Sequence, residues 1–151
     1  MPRHRLTHLA VLGLLTISLQ LSGKSEQSYV QITSVTVEPV TIHRDQPPYE
    51  ATVTVQILVH GRPTPDATAR IDAGTYSADP ADDVVRYPKQ SKTVRLDKEL
   101  VVATFTVEST SQTVVGKVVI AATVYRATGV DRIKDPDSDK NWRAELRTAV
   151  P

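Results

Sequence analysis

The residues with the clearest potential for chemistry are carboxylates near the C-terminus. Asp131 is followed by the run Asp135-Pro136-Asp137-Ser138-Asp139-Lys140-Asn141. A hard cation such as Ca²⁺ takes roughly six to eight oxygen ligands, and alternate acidic residues on one loop can converge on it. Asp135, Asp137 and Asp139 are therefore the candidate calcium ligands. The run departs from EF-hand spacing at two places: Lys140 stands sixth, where the sharp turn needs Gly, and Leu146 stands twelfth, where a bidentate Glu belongs. Acidic loops more commonly form solvated turns whose Asp side chains bond nearby backbone. The expectation is that no metal ion and no cofactor is held.

Other chemistries have weaker footing. His43 and His60 lack ligand spacing and fall at strand ends, where a solvated imidazole is ordinary. Ser109 and Ser111 lack a nucleophile elbow and a histidine base. Asp82-Asp83 is a carboxylate pair of the kind that flanks a glycosidic bond, but sequence neighbours on a loop seldom straddle one. The six glycines form no phosphate loop. Trp142, Tyr49, Tyr76 and Tyr87 could stack on sugar rings, although packing at sheet ends is the commoner use of such side chains. There is no cysteine, which removes disulfides, thiolate metal sites, cysteine nucleophiles and lipidation together. No catalytic residue is assigned, and the chain is expected not to be an enzyme.

The elements that would position these residues are strands. The apolar set leans on Val, Ile and Thr, with one Phe, one Trp and one Met, and β-branched side chains favour a pleated surface. Period-two alternation is cleanest over 51–60, where Ala51, Val53, Val55, Ile57 and Val59 share a face against Thr52, Thr54, Gln56 and His60. Residues 67–73 set Ala67, Ala69, Ile71 and Ala73 against Thr68, Arg70 and Asp72. Residues 99–107 turn Val101, Ala103, Phe105 and Val107 inward, and residues 114–125 do so with Val118, Ile120, Ala122 and Val124. Shorter strands are expected at 30–37, 40–43, 83–87 and 92–96. Residues 142–150 fit a strand or a helix, with a strand favoured because it would cover an open sheet edge. Pro- and Asp-rich loops fall at 44–48, 61–66 and 77–82, and Asp97-Lys98 fits a tight hairpin turn. Seven or eight short strands without a convincing helix read as an all-β antiparallel sandwich, with a small closed barrel as the alternative.

Residues 1–23 read as a signal peptide: Arg3, His4 and Arg5 precede an apolar run from Leu9 to Leu21, shorter than the roughly 20 residues a membrane span needs. Leu21-Ser22-Gly23 resembles the front of a lipoprotein box, but Lys24 stands where the acylated cysteine would be. The expected division is signal peptide 1–23, linker 24–29 and one domain over 30–151. With Arg3 and Arg5 set aside, 16 basic residues face 17 acidic ones. No Lys/Arg run indicates nucleic acid, and no membrane insertion is expected after signal removal.

Val35-Thr36-Val37-Glu38-Pro39 followed by Ala51-Thr52-Val53-Thr54-Val55 resembles the opening of bacterial immunoglobulin-like repeats of surface and secreted proteins. Thr93-Val94-Arg95-Leu96, a turn and Ala103-Thr104-Phe105-Thr106-Val107 resemble their central hairpin, and residues 118–125 their penultimate strand. Asp97-Lys98 replaces the glycine usual in the central turn, and only one copy fits in the chain. The missing cysteines also exclude the antibody-type variant with its inter-sheet disulfide. The resemblance implies an immunoglobulin-like fold with no shared catalytic residues to transfer. The resulting expectation is a secreted or periplasmic, non-catalytic structural or protein-interaction module of the cell envelope or exterior. Its expected partner is an unknown protein or a surface polysaccharide. The alternative is a ligand-binding module for glycan or calcium.

Overall fold

The computed structural model describes residues 26–43, 50–76, 89–108 and 116–149. They form nine strands: β1 (Tyr29–Glu38), β2 (Thr41–His43), β3 (Glu50–His60), β4 (Thr68–Tyr76), β5 (Gln90–Arg95), β6 (Leu100–Glu108), β7 (Gly116–Thr128), β8 (Arg132–Ile133) and β9 (Arg143–Ala149). The single helical element among the described residues is a 3₁₀ turn at Asp139–Asn141. No helix there is long and apolar enough to cross a membrane. The strand expected at 83–87, the loops at 44–48 and 77–82, the signal segment 1–23, and Tyr49, Asp82, Asp83, Tyr87, Ser109 and Ser111 lie outside the described residues.

The strands make two sheets, ordered β6-β3-β1-β8 and β2-β9-β7-β4-β5, so the architecture is a sandwich of two separate sheets. The main ladders are antiparallel. The short pairs β1/β8 and β2/β9 are parallel. The alternating apolar residues meet between the layers: Val53, Val55 and Ile57 of β3, Phe105 and Val107 of β6, Ile71 of β4 and Ile120 of β7 are all buried. Leu146 of β9 is fully buried beside them, which resolves residues 143–149 as a strand that pairs with β7 and supports β2.

Two bulges reconcile this core with the chain. Val30 and Ile32 are buried at even positions of β1, whereas Val35 and Val37 are buried at odd ones. The β1/β3 register slips by one residue between Ile32 and Ser34, and that slip returns the apolar side chains to the same face. In β7 the same device falls at Tyr125: Ile71 pairs with Val124 but Arg70 pairs with Arg126. Tyr125 and Arg126 both stay exposed, and Ala127 turns back to pack on the core.

The Asp97-Lys98 hairpin is corrected by the structure. β5 pairs with β4 in one sheet, and β6 pairs with β3 in the other. The connection is therefore an arch between layers. Leu96, only 2% exposed, plugs the core as the chain crosses. Its amide bonds to Ala67 O at 2.9 Å, and Val59 N bonds to Glu99 O at 2.8 Å, so each sheet's ladder continues into the arch. A two-residue turn joins only strands that are neighbours in one sheet, and β5 and β6 are edge strands of different sheets.

Candidate functional site

The acidic run lies on the loop that leaves β8 at one sheet's edge and enters β9 in the other sheet. Asp131 Oδ2 accepts hydrogen bonds from Ser28 N (2.7 Å) and Ser28 Oγ (3.0 Å). Gln31, a β1 residue only 2% exposed, donates through Nε2 to Asp135 O (2.7 Å) and Asp137 Oδ1 (2.9 Å). Lys134 Nζ stands 3.2 Å from the same Asp137 oxygen. The Gln31 amide, followed by the Lys134 hydrogen bond and charge, holds the Asp137 carboxyl below its ordinary value. Asp139 turns the other way, toward Arg143 (3.6 Å) and the Trp142 indole nitrogen (3.5 Å).

The candidate calcium ligands are thus not brought to one point. Asp135 uses its main-chain carbonyl, Asp137 faces an amide and an ammonium, and Asp139 faces a guanidinium. Among the described residues no three His, Cys, Asp or Glu side chains are grouped to hold a metal ion. His43 and His60 lie on different sheets. His60 stacks on Tyr29 with ring centroids 4.6 Å apart, and its Nε2 is 2.7 Å from Glu26 Oε1.

A cleft of about 580 Å³ opens where β9 stops pairing with β7, at Ala121↔Arg143. Trp142 forms one wall, Ile32 and Ile133 supply apolar surface, and Lys134, Asp135 and Asp139 stand at its rim. Apolar walls with a few convergent polar groups are what a small-ligand site requires. Of the expected sugar-stacking aromatics, Trp142 is the one placed here. Its ring already has the Arg143 guanidinium 5.3 Å from its centroid. A second cleft of about 510 Å³, between the 61–66 loop and the arch, has Asp97, Lys98, Glu99 and His60 as its charged and titratable groups.

Strand alternation failed to reveal Asp72. It occupies an outward position of β4, as expected, yet its side chain is 1% exposed. Arg70 Nε (3.1 Å) and Ser91 Oγ (2.6 Å) donate to Oδ1, while Oδ2 has no directional hydrogen bond and faces Lys89 Nζ at 3.1 Å. Burial pushes the carboxyl up, but the Ser91 hydrogen bond, the Lys89 ammonium and Arg70, by hydrogen bond and charge, outweigh it and leave it below its ordinary value. Arg70 also lies 4.5 Å from the centroid of the Tyr125 ring. A depression of about 180 Å³ adjoins the carboxylate, floored by Gly74 and Ala121. The one local signal in sequence was Arg70, two residues away on the same face of β4 and able to fold over an outward carboxylate.

No protein-family model matches the chain, and no curated protein matches it. Solved structures with a similar fold include a β-glucosidase from Erythrobacter marinus, 13% identical with a TM-score of 0.49 over 81% of this chain. The chain spans only 16% of that enzyme's length. The apo form of the CBD1 domain of Calx is 13% identical with a TM-score of 0.43, covering 83% of this chain and 99% of that domain. A bacterial adhesin from Mobiluncus mulieris, containing intramolecular disulfide, isopeptide and ester cross-links, is 10% identical with a TM-score of 0.43. That match covers 82% of this chain and 58% of the adhesin.

Proposed function

We propose that this chain is a non-catalytic interaction module of the cell envelope or exterior, built as an immunoglobulin-like β-sandwich and exported by the signal peptide at 1–23. The observation that carries the reading is how the acidic loop spends its groups. Asp131 is tied to Ser28, Asp137 to Gln31 and Lys134, and Asp139 to Arg143. These contacts fasten the loop across the edge of the sandwich, and the broad outer faces of both sheets are what remain for recognition.

A second reading, glycan binding, draws on the cleft beside Trp142, whose indole, carboxylates and ammonium are suited to sugar hydroxyls. Both readings are tested by immobilising the exported protein and passing the exterior fraction of its producing cells over it. Retention of a defined protein or polysaccharide, by a product whose N-terminus begins near Lys24, is the expected result. A product that keeps Met1 contradicts export by cleavage, and a surface that retains nothing contradicts the interaction role.

A further inference from the structure

We infer that the outer face of the five-stranded sheet is a docking surface for an acidic polysaccharide, gripped by Arg95, Arg70 and Arg126 beside Tyr125. This rests on the interaction-module reading and names its partner.

Charge is segregated between the two layers. β1, β3 and β6 contain no lysine or arginine. The outward positions of the other sheet carry Arg95 on β5, Arg70 on β4, Arg126 on β7, and Arg143 and Arg147 on β9, against Asp72 and Glu145. Among the described residues the four-stranded sheet thus carries Arg132 at its β8 edge and the carboxylates Glu38 and Glu50, whereas the outward positions of the five-stranded sheet hold an excess of arginine. Asp72, buried beneath Arg70 and Lys89, offsets one of those two cations, and the face keeps an excess of arginines over carboxylates.

The arrangement is one that folding alone disfavours. Arg70 and Arg126 are direct cross-strand partners, and like charges opposed in this way destabilise a sheet. An anion bridging them relieves the repulsion. The β7 bulge adds Tyr125 between them, 61% exposed, with Arg70 held 4.5 Å from its ring centroid. Asp72 and Ser91 orient Arg70, the latter accepting from its guanidinium at 2.9 Å, so the side chain is ordered before any partner arrives.

The relief and chemistry of the face select the class of polymer. Neighbouring strands lie about 4.8 Å apart, so Arg126 stands across from Arg70 at that spacing, while Arg95, opposite Thr68, is its diagonal neighbour about 8 Å away. The cations are spaced on the scale of one to two sugar rings. Exposed Thr93 and Thr123 set short hydroxyls among them, suited to the hydroxyls between a polymer's anionic groups. The other exposed large apolar side chains among the described residues, Val40, Leu100, Val102 and Ile133, lie on other elements. The face therefore lacks the wedge a membrane surface needs and the apolar anchors of a protein interface. Among the described side chains the face offers one exposed tyrosine, fewer than the successive stacking platforms of single-stranded nucleic acid.

The test is titration of the full chain with heparin and with alginate, which carry sulfate plus carboxylate and carboxylate alone, beside duplex DNA and anionic vesicles. Wild type, Arg95→Thr, Arg126→Thr, the double variant and Lys98→Thr, on the adjoining arch and off the sheet face, are compared. Binding to at least one polysaccharide is expected, weakening as salt screens the exposed charges. Each arginine substitution should weaken it about fivefold, the upper range for one exposed ion pair, and Lys98→Thr should not. Arg126→Thr should hold or raise Tm, so lost binding cannot be read as lost fold. Failure to bind either polysaccharide, equal binding by the double variant, or equally tight binding to DNA or vesicles overturns the inference. If the double variant still retains the partner captured by wild type, this surface is wrong while the interaction-module reading stands. A wild type that captures nothing removes both.

Discussion

Asp72 and Gln31 show how polar side chains at outward positions can become structural. Both sit among strand residues, and both are buried by neighbours far along the chain: Ser91 and Lys89 for Asp72, the 134–137 segment for Gln31. Alternation predicts which side of a sheet a residue faces, but it is blind to what later covers that side, and both residues were illegible for that reason. Asp72→Asn should cost about 1.5–3 kcal/mol at neutral pH, the range for a hydrogen bond to a charged group. Arg70→Met with Lys89→Met should cost more, about 3–5 kcal/mol, because it keeps the cover but leaves a buried carboxylate without its cations. Equal losses in chemical denaturation would refute that ordering. The Asp72 carboxyl is depressed in the fold, so its contribution is complete above the unfolded value of about 4 and is lost as pH falls through the lower folded value. The gap between wild type and Asp72→Asn should therefore close in acid and be flat from pH 5 upward. At the acidic loop, millimolar calcium should leave Tm unchanged, since an amide and an ammonium already occupy Asp137. A site with Kd near 10⁻⁴ M would instead add about 1.4 kcal/mol at 1 mM metal, a shift of several degrees.

Strands β3, β4, β6 and β7 were legible because each alternates cleanly over at least three apolar positions. Val55 of β3 is fully buried while Thr54 faces outward, so Val55→Asp should abolish stable folding and Thr54→Asp should be tolerated. The first buries an unpaired carboxylate at several kcal/mol, against a total stability of about 5–15 kcal/mol. Equal expression and Tm for the two variants would show the inward face misassigned. The parity change from Val30 and Ile32 to Val35 and Val37 was visible in the chain, and a bulge is its physical explanation. The arch at 96–99 was not, because a turn and a crossing share the same local chemistry, and only the pairing partners of β5 and β6 distinguish them. That crossing has a consequence for solubility. Gln90 and Lys92, at inward positions of β5, reach the edge of β6 and donate to Thr106 O and Thr104 O. They cap carbonyls that would otherwise recruit another strand beside the exposed Leu100 and Val102. Gln90→Ala with Lys92→Ala should give concentration-dependent association by light scattering, and a strictly monodisperse double variant would show the edge needs no such cover. Gly129, at φ +76°, turns the chain after β7 where an added Cβ would lie 2.8 Å from Ala67 Cα. Gly129→Ala should cost about 2 kcal/mol or more in unfolding experiments.

At the scale of the whole molecule, the sandwich divides its labour between an edge and two faces. In the loop from β8 to β9, the Asp137 carboxylate and the Asp135 carbonyl fasten the edge to Gln31 of β1, and Asp139 pairs locally with Arg143. The surface inferred to carry recognition was hidden in sequence because its arginines are scattered from Arg70 to Arg147 and gather only when β5, β4, β7 and β9 align. No linear run of charge marks them. Amide chemical-shift mapping of the isotope-labelled protein during titration with a sulfated oligosaccharide tests this division directly. The account predicts perturbations concentrated at Arg70, Thr93, Arg95, Thr123, Tyr125 and Arg126, with β1, β3 and β6 unmoved. Perturbations centred on the 131–142 loop or on β3 and β6, or none at saturating ligand, would contradict it.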